Sequence, residues 1–205
     1  MPIENYPLQS TRAREPLPRT LRGPRPFTAT HITSPTPTTN MDCIDQLLTR
    51  RSVRKYTDTP IPPEKIDKIL EAGRQSPSAV NRQPWHFILI TDQGIKDKLS
   101  NGLFNRHIRQ SAFTIVGTYT TGDPASRRWG LTDTVIALQT MAIAAHLQGV
   151  GACWIGDYNE RRLRDTLNIP DTTSIAALIS FGDPAHTSGP RKKRSLDTIL
   201  HANTW

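Results

Sequence analysis

Two short segments carry the residue types best suited to holding an anionic, planar ligand. The first, residues 50–56 with the sequence RRSVRKY, places four cations and a serine hydroxyl within seven positions. Arginine binds phosphate through two parallel hydrogen bonds and keeps its charge at physiological pH. Arg50, Arg51 and Arg54 therefore suit a phosphate, a polyol chain or an anionic ring edge. The alternative is a solvated helix end whose cations complement the helix dipole.

The second segment, residues 76–85 with the sequence SPSAVNRQPW, predicts a stiff loop that contains two turns. Serine, proline and asparagine favour such turns because they preset the backbone or bond to it. A rigid loop can hold a flat ring against backbone amides. The alternative is a plain helix-to-strand connection, and Trp85 is more typical of a core residue than of a ligand contact.

A third basic cluster, residues 190–194 with the sequence PRKKR, suits a solvated tail or a nucleic-acid patch. No catalytic triad or metal-ligand cluster is evident beside these segments. The two cysteines, Cys43 and Cys153, make neither a disulfide framework nor a metal site. A reducing cytoplasm is therefore the expected location. The sequence contains no run of 18 apolar residues, so no membrane-spanning helix is predicted.

Composition divides the chain of 205 residues into two parts. Residues 1–40 hold eight prolines, five arginines and two glutamates and show no hydrophobic periodicity. Such a segment cannot bury enough apolar area to offset its ordering entropy, so we predict a disordered extension. A tail, a transit peptide and a mis-assigned start at Met41 are the readings left open. The folded domain is expected over residues 41–205.

The formal net charge of +8 permits two kinds of partner. A basic surface attracts nucleic acid, and it equally attracts anionic nucleotide cofactors. A nucleic-acid module would need its cations on one exposed face with interleaved aromatic rings. Only Tyr56 lies within the basic run, so this class of function is the weaker hypothesis.

Hydrophobic spacing predicts an alternation of helices and strands. Helices are expected over 42–50, 63–74, 93–100, 132–148 and 160–167, and strands over 85–90, 112–119, 152–155 and 175–181. Asp92, Thr132 and Asn159 are the expected N-caps of the last three helices. The helix at 132–148 is apolar nearly all round, which predicts burial on more than one side and a partner subunit against it.

Alternation alone favours a parallel doubly wound sheet. No glycine-rich turn follows any predicted strand, however, so the dinucleotide-binding fingerprint is missing. The decision comes from a resemblance: residues 41–205 resemble the nitroreductase family of FMN-dependent oxidoreductases. The segments that carry it are 50–54 (RRSVR), 76–85 (SPSAVNRQPW), 149–156 (GVGACWIG) and 182–184 (GDP), followed by Lys192 and Arg194.

The resemblance implies an α+β fold, a three-layer α/β/α sandwich around a mixed, mainly antiparallel sheet. It also implies an intertwined homodimer with FMN at the interface and NADH or NADPH as co-substrate. The implied reaction is ping-pong transfer of hydride to a small electron-poor acceptor, such as a nitroaromatic, quinone or enal. No side chain acts as a nucleophile, because the cofactor carries the chemistry.

Matching positions imply the cofactor contacts. The phosphate falls to Arg50, Arg51, Lys192 and Arg194, and the phosphate or ribityl region to Ser52. Arg54 is expected at the N1/O2 edge of the ring, where negative charge develops on reduction. Pro77, Ser78 and Ala79 are expected to pack on the ring from the partner subunit, and the backbone of Ile155 and Gly156 is expected to face N5. Further cofactor contacts are expected from Asn81, Asn105 and Trp154.

One departure leaves the substrate open. Larger members insert a long helical segment after the strand that here ends at Tyr119, whereas this chain has only residues 120–130. The insertion shapes the pocket above the flavin in those members. Flavin fragmentation or reductive dehalogenation on the same fold therefore remains an alternative reaction.

Overall fold

The computed structural model describes residues 42–102, 105–186 and 188–205. The predicted extension over residues 1–40 lies outside the described residues. The α-helices are α1 (Cys43–Thr49), α2 (Pro63–Arg74), α3 (Gln93–Leu99), α4 (Pro124–Leu147) and α5 (Glu160–Leu167). Short 3-10 turns occupy Ala79–Asn81, Arg106–Ile108 and Leu196–Thr198. The strands are β1 (Trp85–Ile90), β2 (Phe113–Thr120), β3 (Gly151–Ile155) and β4 (Thr173–Gly182).

The four strands form one sheet in the order β1-β2-β4-β3, and all three pairings are antiparallel. One parallel contact is also present, an isolated bridge between Ser52 and Ala152 of β3. The doubly wound parallel alternative is therefore wrong, and the α+β prediction is confirmed. Antiparallel neighbours account for the missing glycine-rich turn, because no parallel βαβ unit is present among the described strands.

Side chains alternate between two cores, one on each face of the sheet. One core joins Ile69 of α2 and Met141 of α4 to Phe113 and Phe181, whose rings stack 4.8 Å apart. The other joins Leu99 of α3 and Leu163 of α5 to Val116 and Leu178 of the sheet. Because successive strand residues point to opposite faces, β2 and β4 feed both cores. The result is the expected three layers.

Most helix starts agree with the sequence prediction. The carboxylate of Asp92 accepts a hydrogen bond from the Ile95 amide, and Asn159 caps α5 by accepting from the Arg162 amide. Both caps satisfy amides that the first helical turn leaves free.

The predicted start of α4 at Thr132 is wrong. The helix begins at Pro124, and Asp123 is the cap, accepting from the amides of Ala125 and Ser126. An aspartate cap followed by proline at the first helical position is a strong start signal. The residues up to Gly130 lack apolar periodicity because this end of the helix is largely exposed. The sequence pattern therefore predicted a loop there instead of a helix. The short segment between β2 and the predicted helix is thus mainly helix.

Several large apolar side chains remain exposed on the described surface. On α1 they are Ile44, Leu47 and Leu48, and on α4 they include Trp129, Leu131, Val135 and Ile136. Leu196, Ile199 and Leu200 extend this exposure to the C-terminal segment. Within the described residues, no helix is long and apolar enough to cross a membrane.

Candidate functional site

The basic segment 50–56 lies along the free edge of β3. The Val53 amide donates to the Ala152 carbonyl at 3.0 Å, which extends the parallel contact made by Ser52. Further on, Tyr56 forms an antiparallel bridge with Pro184, and the Ala185 amide donates to the carbonyl of Lys55. The segment is therefore tied to the sheet at both ends, which fixes the backbone of Arg54 between them.

Two glycines allow this close approach. A Cβ added at Gly151 would lie 2.8 Å from the Cβ of Val53, and one at Gly182 would lie 2.7 Å from the Tyr56 ring. Such distances are shorter than a carbon–carbon contact allows. Only residues without a side chain let the segment reach the sheet, so Gly151 and Gly182 contribute to the site without touching a ligand.

The Tyr56 side chain links the basic segment 50–56 to the sheet. Its hydroxyl lies 2.8 Å from the Val53 carbonyl oxygen and 2.8 Å from the hydroxyl of Ser180. The ring is 7% exposed. Burial raises the pKa of Tyr56 well above its usual value, against the lowering effect of its hydrogen bond with Ser180. A neutral, buried phenol therefore joins the basic segment to β4.

Arg54 lines a cavity of about 390 Å³ together with the end of β3. Arg54, Trp154, Ile155 and Gly156 were all predicted as cofactor contacts, and the structure brings them together here. The sequence prediction missed the other lining residues, Arg106, His107 and Asp157. Their spacing in the sequence does not predict a site, because they lie in a 3-10 turn and a loop that have no periodic pattern.

The wall of this cavity has one open position. A Cβ at Gly156 would meet nothing within 4 Å, and the residue is exposed. The neighbouring Trp154 is held in place, since its indole nitrogen donates to the Gln139 side-chain oxygen on α4 at 3.0 Å. Gly156 is therefore exposed at the cavity, while Ile155 beside it is 3% exposed and packs in the core.

Burial and, to a smaller extent, arginine charge shift pKa values at the site. Burial lowers the pKa of His107, and the charge of Arg54 lowers it further. Burial raises the pKa of the Cys153 thiol, while Arg54 and Arg50 oppose that rise. Both arginines therefore lie close enough to β3 to act on groups there.

Arg51 is engaged within the chain. Its guanidinium donates to the carbonyls of Leu48 and Arg50, at 3.1 Å and 2.8 Å. These bonds satisfy carbonyls at the C-terminal end of α1, where a cation is also favoured by the helix dipole. Arg51 therefore occupies the position of the helix-end cation that the sequence offered as the alternative.

The loop with Pro77, Ser78 and Ala79 lies elsewhere in the chain and does not line the cavity. The Ala79 amide donates to a carboxylate oxygen of Asp133 on α4 at 3.1 Å, and the Ser78 hydroxyl accepts from the Gln83 amide at 2.9 Å. Val80, Asn81 and Gln83 adopt left-handed backbone conformations. The loop is therefore stiff, as its sequence predicts. Asp133, which is 4% exposed, is a supporting residue that the sequence did not reveal.

Asn105 supports the cavity wall through its amide group. The side-chain oxygen accepts from the Gly102 amide at 2.7 Å, and the nitrogen donates to the Asp157 carbonyl at 3.2 Å. The residue is 4% exposed. These bonds place Asn105 behind the wall rather than within the cavity, and its predicted contact with a ligand stays a prediction.

Lys192 and Arg194 lie in the exposed C-terminal segment, away from the residues that line the cavity. Arg194 donates to the Thr198 carbonyl at 2.8 Å. The segment leaves β4 next to residues 55–57, since the Thr57 amide donates to the carbonyl of Asp183 at 2.9 Å. Its first residues therefore run beside the basic segment, and neither of the two predicted cations is among the residues that line the cavity.

Comparisons with known proteins test the resemblance directly. The model of the Nitroreductase family matches residues 47–107 and 99–183, more than half of the chain. The chain belongs to the nitroreductase family. A relative from Methanothermobacter thermautotrophicus, provisionally named an NADH dehydrogenase/NAD(P)H nitroreductase, is 32% identical over 170 residues. The match covers 80% of this chain and 88% of the relative.

Solved nitroreductase structures agree with the fold. A protein of Parabacteroides distasonis with the same provisional name superposes with a TM-score of 0.73 at 34% identity, covering 80% of this chain and 98% of its own. An FMN-dependent nitroreductase from Clostridium difficile superposes with a TM-score of 0.68 at 26% identity, covering 79% and 99%. The nitroreductase-like sandwich predicted from sequence is confirmed.

Proposed function

We propose that this nitroreductase-family chain is an FMN-dependent oxidoreductase that uses NADH or NADPH as reductant. The observation that carries the proposal is the cavity that Arg54 lines together with the exposed Gly156, which follows β3. The solved relative named an FMN-dependent nitroreductase supports the same cofactor. When bound, FMN supplies a two-electron carrier between NAD(P)H and an electron-poor acceptor.

The residues present fit a flavin. A flat ring needs an accessible surface without a protruding side chain, and Gly156 leaves such a surface. A ring that gains negative charge on reduction is stabilised by a fixed cation, and Arg54 is an exposed guanidinium on a tethered backbone. Arg50, Arg51 and Ser52 precede Arg54 in the same segment, where their polar groups suit the ribityl phosphate.

The proposed cofactor site includes a second copy of the chain. The Pro77–Ala79 loop does not line the cavity of its own chain, and Lys192 and Arg194 do not either. Exposed apolar side chains on α1, α4 and the C-terminal segment provide a surface for such a homodimer. In the proposed dimer, the Pro77–Ala79 loop of the partner subunit completes the site. Asn81 and the two cations of the C-terminal segment provide further contacts to the cofactor.

The proposed reaction is ping-pong, with the nicotinamide and a small acceptor binding in turn. Nitroaromatics, quinones and enals are the proposed acceptor class, because each takes up hydride readily. The chain's own residues bind and orient these molecules and keep positive charge at the ring edge. None of them needs to act as a nucleophile.

An anaerobic spectral titration tests the proposal. Purified protein reconstituted with FMN is expected to be yellow and to bleach on addition of NADH or NADPH. Addition of a nitroaromatic or quinone should then restore the oxidised spectrum. Protein that retains no FMN after reconstitution contradicts the proposed function. Bleaching without reoxidation by any acceptor would contradict the ping-pong assignment alone.

A further inference from the structure

His107 has an unusual position in the cavity wall. It lies in the 3-10 turn Arg106–Ile108, is 8% exposed and lines the cavity that contains Arg54. Its ring nitrogen Nε2 is enclosed and has no hydrogen-bond partner among the described residues. The mechanism proposed above gives this imidazole no role.

An enclosed polar atom without a partner is costly. Leaving a buried donor or acceptor unsatisfied forfeits the hydration it had in the unfolded chain. Such atoms are rare in native proteins, and each calls for an explanation. Asp133 and Thr134 also have unsatisfied oxygen atoms, but both residues lie on α4 and neither lines this cavity. His107 therefore combines an unmet hydrogen bond with a place beside the predicted ring edge.

Burial and the neighbouring charged groups together keep the imidazole of His107 neutral. Arg54, Arg106 and Asp157 line the same cavity. Burial is the larger cause of the lowered pKa of His107, and the charge of Arg54 is the second. At neutral pH the imidazole is consequently neutral, and one of its nitrogens donates while the other accepts. A neutral imidazole can bond to a carbonyl oxygen or to a ring N–H, and both occur along the pyrimidine edge of a flavin.

We propose that His107 is a flavin-contacting residue whose Nε2 forms its missing hydrogen bond with the pyrimidine edge of the ring, next to Arg54. The proposal rests on the proposed FMN-dependent function. The torsion about the Cβ–Cγ bond of histidine is broad and roughly two-fold, so the ring can turn when a ligand arrives. The ligand then supplies the hydrogen bond that the protein leaves unmade.

Three substitutions separate this role from simple packing. His107→Phe keeps a ring and removes both nitrogens. His107→Gln keeps an amide nitrogen at the reach of Nε2, whereas His107→Asn keeps one at the shorter reach of Nδ1. Each variant is freed of flavin and titrated with FMN, with flavin fluorescence as the readout. Thermal unfolding of the flavin-free protein is measured in parallel.

The expected result is a contrast between binding and stability. His107→Phe and His107→Asn should raise the Kd for FMN about tenfold, and His107→Gln should raise it by about threefold at most. Flavin-free His107→Phe should unfold at a temperature no lower than that of the unsubstituted chain, because the substitution removes an unsatisfied polar atom.

Three results would overturn the assignment. An unchanged Kd in His107→Phe removes the proposed contact while leaving the proposed function intact. A weakened Kd in all three variants, accompanied by a lower unfolding temperature in each, assigns His107 to packing. If the unsubstituted chain itself binds no FMN, the proposed function fails, and the role of His107 fails with it.

Discussion

Arg54 owes its proposed role to the combination of an exposed charge and a fixed backbone. The residues on either side of it bond to β3 and to the start of the C-terminal segment. A cation held in this way needs little reorganisation when charge develops nearby, and that preorganisation is what makes it effective.

Substitution of Arg54 should therefore affect the flavin more than the fold. We expect Arg54→Ala to lower the midpoint potential of bound FMN by about 30 mV or more, equivalent to about 1.4 kcal/mol for two electrons. The neighbouring cation Lys55 is also exposed but does not line the cavity, so Lys55→Ala is the matched control. Equal potentials in the two variants, measured by anaerobic dye equilibration, would count against the role of Arg54.

Tyr56 gives the site a dependence on alkaline pH. Its folded pKa lies above the unfolded value of about 10, because burial disfavours the phenolate. The stabilisation that this difference provides is complete below pH 10 and is lost as the pH rises towards the folded pKa. Above pH 10 the residue should reduce the free energy of unfolding by about 1.4 kcal/mol per pH unit.

Tyr56→Phe tests this pH dependence. The variant should be about 1–2 kcal/mol less stable at pH 7, because its partners Val53 and Ser180 lose a hydrogen bond. Between pH 10 and 11 its stability should decline less steeply than that of the unsubstituted chain. Urea unfolding at several pH values measures both quantities, and parallel pH profiles would refute the assigned cause.

At the scale of elements, the site depends on how closely the basic segment can approach the sheet. Gly151 lies against Val53 and Gly182 against the Tyr56 ring, and neither contact leaves space for a Cβ. The position of Arg54 is therefore decided partly by two glycines that are distant from it in sequence.

Gly151→Ala should displace the segment and weaken the cofactor site. We expect a loss of about 1–3 kcal/mol in unfolding free energy from overpacking, together with weaker FMN binding. Gly122→Ala is the control, since a Cβ there would meet nothing within 4 Å. If Gly151→Ala binds FMN as tightly as Gly122→Ala, the segment does not need this approach to form the site.

At the scale of the whole molecule, the exposed apolar surface and the incomplete cavity point to the same requirement. Leu48 on α1 is 57% exposed, and the loop and tail residues predicted to bind the cofactor do not line the cavity of their own chain. A second copy of the chain would cover the exposed apolar surface and would complete the cofactor cavity.

Leu48→Glu should weaken both self-association and FMN binding. The substitution should weaken self-association at least tenfold, because it places a charge that must be desolvated in the proposed dimer interface. FMN affinity should fall in parallel. Lys68→Gln, at an exposed position on α2, changes the net charge by the same amount and is the matched control. Sedimentation velocity and FMN titration at matched concentrations measure both, and dissociated chains that still bind FMN tightly would contradict the shared site.

The sequence alone determined the elements and the family. Helix caps, prolines and apolar periodicity are local signals, so α2, β1 and α5 begin and end where the sequence predicts. The segments that resemble the nitroreductase family predicted Arg54, Trp154, Ile155 and Gly156, which do line one cavity. The start of α4 was missed because its first turns lie largely at the surface, where helix formation leaves no apolar pattern.

Tertiary structure alone decided what surrounds those residues. The sequence could not reveal that Gly151 and Gly182 admit the basic segment, that Asp133 holds the loop, or that His107 lies unsatisfied beside Arg54. Each of these facts joins residues far apart in the chain. Burial, unmet hydrogen bonds and close contacts exist only once the elements pack, and no local pattern of residue types encodes them.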